Sequence, residues 1–133
     1  MPRFTLGKQE RLKSRKVIDR LFEKGKHFSV FPLRVSYAFQ EAGAPPLQAG
    51  FGVSSRNFKR SVHRNRVKRL MREGYRLQKN ELQELLLNKD RRLALFIIYT
   101  GKELPDFAII REKMQSLLNR LERLVHETGA AHT

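Results

Sequence analysis

Cysteine and tryptophan are both absent from this 133-residue chain. Without cysteine there is no disulfide, no thiolate zinc site and no cysteine nucleophile. Long hydrophobic runs are missing too. The longest unbroken apolar stretch is Leu93 to Tyr99, far too short to cross a bilayer. The opening residues, Met1-Pro2-Arg3-Phe4-Thr5-Leu6-Gly7-Lys8, become charged before a signal-peptide core can form. A membrane-surface helix with exposed Trp or Phe is not evident either. A cytoplasmic protein with no membrane partner is expected. His27, His63, His126 and His132 are scattered at no ligand spacing, and no P-loop, nucleophile elbow or acidic metal cluster appears. Asp19 and Glu23 stand four apart beside Arg20 and Lys24, a pattern of surface ion pairing. The chain therefore shows no self-contained active site, and no metal or cofactor is expected on the protein alone.

Acid is also scarce. Lys and Arg number 28 against 13 Asp and Glu, giving a net charge of +15. The excess is uneven: residues 1–76 carry 19 cations against 5 acids, and the remainder is almost balanced. Between Ser55 and Arg72 stand Arg56, Lys59, Arg60, Arg64, Arg66, Lys68, Arg69 and Arg72, with no carboxylate. Apolar residues keep helical spacing through this stretch. A solvated helix face mixes signs at i, i+4, whereas Arg69, Arg72 and Arg76 repeat one sign and repel one another. A rigid helix of this kind calls for a polyanion, RNA or DNA. Arginine outnumbers lysine six to two there, which suits bidentate phosphate contacts. Asn65 reads equally as a plain surface residue, as an organiser of its neighbours, or as a hydrogen-bonding partner of sugar or phosphate.

The coarse pattern is one domain of order α-β-β(-β)-α-β-α, a two-layer α+β sandwich. Residues 1–13 read as a basic arm. Ser14 caps a first helix whose stripe is Val17, Ile18, Leu21 and Phe22, with Gly25 as its stop. From Phe28 to Phe39 the period becomes two, and Leu33, Val35, Tyr37 and Phe39 share one face. A short extra strand near Lys26 to Ser29 fits the same region. A turn at Glu41 to Pro46 leads to a second strand, Leu47 to Ser54, antiparallel to the first because the connection is short. Gly50 and Gly52 in it indicate close approach by another segment. Ser61 is placed to cap a long helix to about Asn88, with Val67, Leu70, Met71, Gly74, Gln78, Leu82 and Leu85 inward. Asn65, Arg69, Arg72 and Arg76 then lie outward, with Arg66 and Lys68 at the flanks. Leu93 to Tyr99 reads as a buried central strand reached by a crossover, so some parallel pairing is expected. Asp106 caps a last helix with Ile110, Met114, Leu117, Leu118, Leu121, Leu124 and Val125 inward, and 128–133 form a flexible tail. Among the aromatics, Phe22, Tyr37 and Phe39 are either core or the lining of an open groove that stacks single-stranded bases.

The run Arg64-Asn65-Arg66-Val67-Lys68-Arg69-Leu70-Met71-Arg72-Glu73, taken with the element order, resembles the protein subunit of bacterial ribonuclease P. That family's signature is Arg-Asn-Arg, any, Lys-Arg, any, any, Arg-Glu, and all seven fixed positions match. Gly50-Phe51-Gly52-Val53-Ser54-Ser55-Arg56 is similar to the family's strand, Leu12 to Gly25 with Phe22 to its first helix, and Leu95 to Tyr99 to its later hydrophobic strand. The resemblance implies a fold like the second domain of ribosomal protein S5, with a left-handed crossover. It implies a ribonucleoprotein endonuclease that removes the 5′ leader of precursor tRNA, its chemistry carried by an RNA subunit. Mg2+ would be held by that RNA and the substrate, with one protein per RNA. Arg64, Asn65, Arg66, Lys68, Arg69 and Arg72 would contact the RNA or organise contacts, with Arg56, Lys59, Arg60 and Arg76 in the same basic surface. Phe22, Tyr37, Ser54 and Ser55 would line a groove for the single-stranded leader. Two positions depart from the pattern: Ser55-Arg56 replaces a Lys-Lys pair, and Ile18 stands where Phe is common. A ribosomal or other structural RNA-binding protein is the nearest alternative. A DNA-reading helix is a third, but no helix-turn-helix partner is evident.

Overall fold

A computed structural model describes residues 7–131. A 3-10 turn at Lys8–Glu10 precedes α1 (Arg15–Lys24), β1 (Lys26–Val30), β2 (Leu33–Gln40), β3 (Leu47–Val53), α2 (Ser61–Gln78), α3 (Asn80–Asn88), β4 (Arg92–Tyr99) and α4 (Phe107–Ala131). The strands form one sheet of order β1-β2-β4-β3. β1 and β2 make an antiparallel hairpin, β2 and β4 are antiparallel, and β3 runs parallel to β4. The architecture is α+β, as the sequence pattern indicates.

Strand parity sorts the sheet into two faces. Leu33, Val35 and Tyr37 of β2, Leu47 and Ala49 of β3, and Leu93, Leu95, Ile97 and Tyr99 of β4 enter the main core. There they meet Val67, Met71 and Tyr75 of α2, Leu82 and Leu86 of α3, and the stripe Ile110, Met114, Leu117, Leu118, Leu121 and Val125 of α4. The opposite face is only partly covered. Leu12 and Leu21 pack there on Ala94, joined by Val17, Ile18, Ala38 and Phe96. Ser14 caps α1 through its hydroxyl, which accepts the Val17 N–H at 3.4 Å. β4 is the central strand the sequence indicates: Leu93 to Tyr99 carries no charged residue, and a strand flanks it on each side.

Several expectations are corrected. β3 does run opposite to β2, but the two are not paired, because β4 lies between them. A short connection fixes direction, whereas the apolar β4 takes the central slot where it is buried on both edges. The long helix is two helices, broken at Lys79. Lys79 is buried, and its ammonium is ion-paired to Glu10. That pair ties the break to the 3-10 turn. The cap of α2 is Arg60 without a side-chain bond, and Ser61 is already helical. Gly25 ends α1 in extended rather than left-handed backbone. Glycine is needed there because an added Cβ would lie 2.5 Å from Leu21 O and 2.9 Å from Tyr37 O. The described part of the expected arm, residues 7–13, is docked rather than free. Leu12 N–H donates to Ala49 O at 2.9 Å, and Gln48 Nε2 donates to Gln9 O at 3.1 Å. The expected tail stays helical to Ala131; residues 1–6 and 132–133 lie outside the described residues.

Candidate nucleic-acid interface

The first surface is built by α2 and the loop before it. An inward stripe of Val67, Met71, Gly74 and Tyr75 fixes the helix rotation. Gly74 faces Ile110, whose Cγ2 would sit 3.4 Å from an added Cβ, so α2 and α4 approach closely there. With that stripe buried, Asn65, Arg66, Arg69 and Arg72 are exposed and Lys68 is half-buried at the flank. No ion pair among the described residues involves Arg66, Lys68, Arg69 or Arg72. Unpaired positive charge on one helix face is the electrostatic requirement for binding phosphates.

Two cations of the block are placed differently. Arg64 turns back along the helix, and its Nη1 donates to Phe58 O and Lys59 O, each at 2.8 Å. Those bonds satisfy two loop carbonyls and hold the turn that carries Arg56, Lys59 and Arg60. The loop is anchored further by Phe58, buried 6.0 Å from the Tyr99 ring, and by Asn57 Nδ2, which donates to Thr100 O and Gly101 O at 3.3 and 3.2 Å. Arg56, Lys59 and Arg60 are thereby exposed from a fixed turn. Arg76 is bonded to Glu73 through Nε at 3.3 Å and through a second, shorter contact from Nη2. The hydrogen bond from Arg76 holds the Glu73 carboxyl below its ordinary range. Among the described cations along α2, Arg76 is thus the one paired with a carboxylate.

The second surface is the uncovered part of the sheet. The strand register sets His27, Ser36, Phe96 and Gly50 side by side across β1, β2, β4 and β3. Phe22 of α1 leans over this row, 43 % exposed, its ring edge-on to Phe96 at 5.4 Å and 71°. Phe96 in turn lies across β3. A Cβ at Gly50 or Gly52 would come within 2.7 or 2.8 Å of its ring, which is the close approach the two glycines indicate. His27 Nδ1 and Ser36 Oγ are 2.7 Å apart. Ser54 continues the phase of Gly50 and Gly52, and its hydroxyl accepts the Arg56 N–H at 3.2 Å. Ser55 is exposed beyond it. The result is a shallow aromatic floor beside the basic turn.

Tyr37 does not belong to that floor. It is 7 % exposed in the main core, edge-on to Phe28 at 5.9 Å, on the other face of the sheet from Phe22. Its parity with Leu33 and Val35 puts it there. Phe96 takes the position beside Phe22, and it was missed because Leu93 to Tyr99 reads as uniformly buried; its even place in the strand was the available signal. Phe39 is half-buried against the core under the Arg91 guanidinium, 4.0 Å from its ring centroid.

The family model for ribonuclease P matches residues 6–122. The chain belongs to the ribonuclease P protein family. It is 40% identical over 121 residues to the ribonuclease P protein component of Porphyromonas gingivalis, covering 90% of this chain and 88% of that one. It is 32% identical over 131 residues to that of Chlorobium phaeobacteroides, covering 88% of each. Among solved structures it is similar to the RNase P protein from Thermotoga maritima, with a TM-score of 0.63, 26% identity and coverage of 84% and 96%. The Staphylococcus aureus RNase P protein, 18% identical with a TM-score of 0.66 over 84% and 94%, shares the fold. Membership makes this chain the protein subunit of the tRNA-processing ribonucleoprotein ribonuclease P, with RNA as its partner. No described helix is long and apolar enough to cross a membrane.

Proposed function

We propose that the chain supports removal of the 5′ leader from precursor tRNA by holding two RNAs together, while the RNA subunit performs the hydrolysis. The observation that carries this reading is the set Arg66, Lys68, Arg69 and Arg72, aligned on one rigid helix with no ion-pair partner. Each such side chain that meets a phosphate releases condensed counterions and lowers the cost of bringing polyanions together. In this reading α2 and the Arg56–Arg60 turn engage the ribonuclease P RNA, one protein per RNA. The floor of Phe22 and Phe96, with Ser54 and Ser55 at its end, receives the leader. An unpaired base stacks on an exposed ring without regard to sequence, which suits a leader that varies between tRNAs.

The catalytic Mg2+ is assigned to the RNA and substrate. No group of three or more His, Asp or Glu among the described residues is placed to hold a metal ion, so the donor set of this chain does not fit the role. When bound by RNA, such ions supply the activated water and the charge stabilisation; this chain's residues bind and orient. Cytoplasmic location follows from the same reading. The test is reconstitution: the purified chain, added to a bacterial ribonuclease P RNA at low Mg2+, should restore leader removal, and RNA-free protein should not cleave. Cleavage at the mature 5′ end by rigorously RNA-free protein would overturn the division of labour.

A further inference from the structure

The open face of the sheet extends past the floor of Phe22 and Phe96. The register places Ser29, Arg34, Ile98 and Gly52 side by side in the row after His27, Ser36, Phe96 and Gly50. The row before it is covered, because Leu21 of α1 packs there on Ala94 with Ala38. Beyond Phe96 the face is open: Ser29 and Arg34 are exposed, and Ile98 and Gly52 are half-buried. Along β4 this strip runs from Phe96 past Ile98 to Thr100, roughly 13 Å of extended chain at about 3.3 Å per residue. The Thr100 carbonyl accepts Asn57 Nδ2 of the basic turn. The strip therefore joins the aromatic floor to the turn that carries Arg56, Lys59 and Arg60.

The β1–β2 side of the strip is polar and fixed in place. None of the four strands contains a carboxylate, and Arg34 has no ion-pair partner among the described residues. His27 is exposed, yet its ring is held: Nδ1 lies 2.7 Å from the hydroxyl of Ser36, which is itself 3 % exposed. That bond leaves Nε2 without a partner among the described residues. An apolar lane of Phe96 and Ile98 is thus bordered on one side by a guanidinium and a pinned imidazole. A single nucleic-acid strand has the matching section, with base faces for the lane and phosphates for the border.

We propose that Arg34 and His27 set the course of the 5′ leader across the sheet. The leader lies along β4 between Phe22 and the basic turn. The Arg34 guanidinium meets one leader phosphate, and His27 Nε2 hydrogen-bonds the backbone of the nucleotide stacked at Phe22. Ser36 is a positioning residue that acts through the His27 ring. The inference rests on the assignment of the leader to the aromatic floor and adds the two residues that fix its path. Because both contacts are to backbone, they hold leaders of any sequence.

The experiment uses the chain assembled with ribonuclease P RNA and compares leader-bearing precursor with mature tRNA. Arg34→Ala should weaken the precursor roughly 3–10-fold and leave mature tRNA unchanged, with no loss in melting temperature because the side chain is exposed. Precursors carrying one neutral methylphosphonate, moved along the leader, locate the contact. At one position the substitution should weaken binding to the unaltered protein, and Arg34→Ala should then cost nothing further. His27→Ala should also weaken the precursor alone. Ser36→Ala should do the same in the unaltered chain and have no effect on binding in the His27→Ala background. Equal losses for precursor and mature tRNA overturn the inference, as does an Arg34→Ala loss that no single methylphosphonate removes. A Ser36→Ala loss that persists without His27 overturns the positioning role. If the unaltered assembly prefers the leader and both Arg34→Ala and His27→Ala keep that preference, the path is wrong and the proposed function stands. If the unaltered assembly shows no preference for the leader, the proposed function fails at its own step.

Discussion

The salt dependence of RNA binding should differ between arginines that look alike in sequence. Arg66, Lys68, Arg69 and Arg72 are without ion-pair partners, so they contribute roughly −2.8 to −3.6 to the slope of log K against log salt, at about 0.7–0.9 per phosphate. Arg69→Ala should reduce the slope by about 0.7–0.9 and leave the fold intact, because Arg69 is exposed opposite the buried stripe. Arg76→Ala should reduce it by less than half as much, since Glu73 already meets that charge. Arg64→Ala should act on stability instead: the Phe58 and Lys59 carbonyls lose their donors, at a cost of about 1–3 kcal/mol. The assay is filter binding to ribonuclease P RNA at five or more salt concentrations, paired with thermal melts. Equal slope losses for Arg69→Ala and Arg76→Ala would refute the argument, and so would an unshifted melt for Arg64→Ala.

Phe22→Ala should cost about 1 kcal/mol of stability, because the ring is edge-packed on Phe96 and substantially exposed, but should weaken leader-bearing precursor tRNA by about 1–3 kcal/mol relative to mature tRNA. Equal losses for the two tRNAs would retire the stacking role. Lys79→Ala should destabilise by about 1–3 kcal/mol in chemical denaturation, since it removes one of the partners of Glu10 at the α2–α3 break; an unchanged denaturation midpoint would show that the pair is dispensable. Burial, and then the nearby Glu81, raise the Glu122 carboxyl above its ordinary value. Its ionised form therefore costs stability above that raised value, and the cost disappears as pH falls toward the ordinary carboxylate range. Glu122→Gln should raise the melting temperature at pH 7 and lose that advantage near pH 4, and a gain that persists at pH 4 would count against the assignment.

Local chemistry was legible in the sequence and long-range pairing was not. The Ser14 cap, the Val67, Met71 and Gly74 part of the inward stripe of α2 and the central position of β4 follow from spacing and side-chain type alone, whereas the buried Tyr75 does not. Gly50 and Gly52 announced a close neighbour, but only the register of β3 against β4 shows that it is Phe96. Nothing local says that β4 enters between β2 and β3, because strand order is decided by which apolar strand gains most from two buried edges. The break at Lys79 was hidden because Leu82 and Leu85 keep helical phase with α2, while the buried partner, Glu10, lies 69 residues away. Tyr37 was assignable in part: its parity with Leu33 and Val35 fixed its face, but which face α1 would cover was not in that pattern.

The same charge serves two ends in this molecule, and packing decides between them. Arg64 and Arg69 are five residues apart on one helix, yet only Arg64 can reach the carbonyls of the turn it follows. It thereby fixes Arg56, Lys59 and Arg60 in an exposed turn, and makes a rigid basic surface of what would otherwise be a mobile loop. A preorganised cluster loses less side-chain and loop freedom when it meets RNA than a flexible one of equal charge. Arg64→Lys tests this step. Lysine keeps the charge but lacks the planar fork that spans two carbonyls, so RNA affinity should fall although the net charge of +15 is unchanged. Wild-type affinity in Arg64→Lys would mean that charge alone suffices and that the fixed turn contributes nothing to binding.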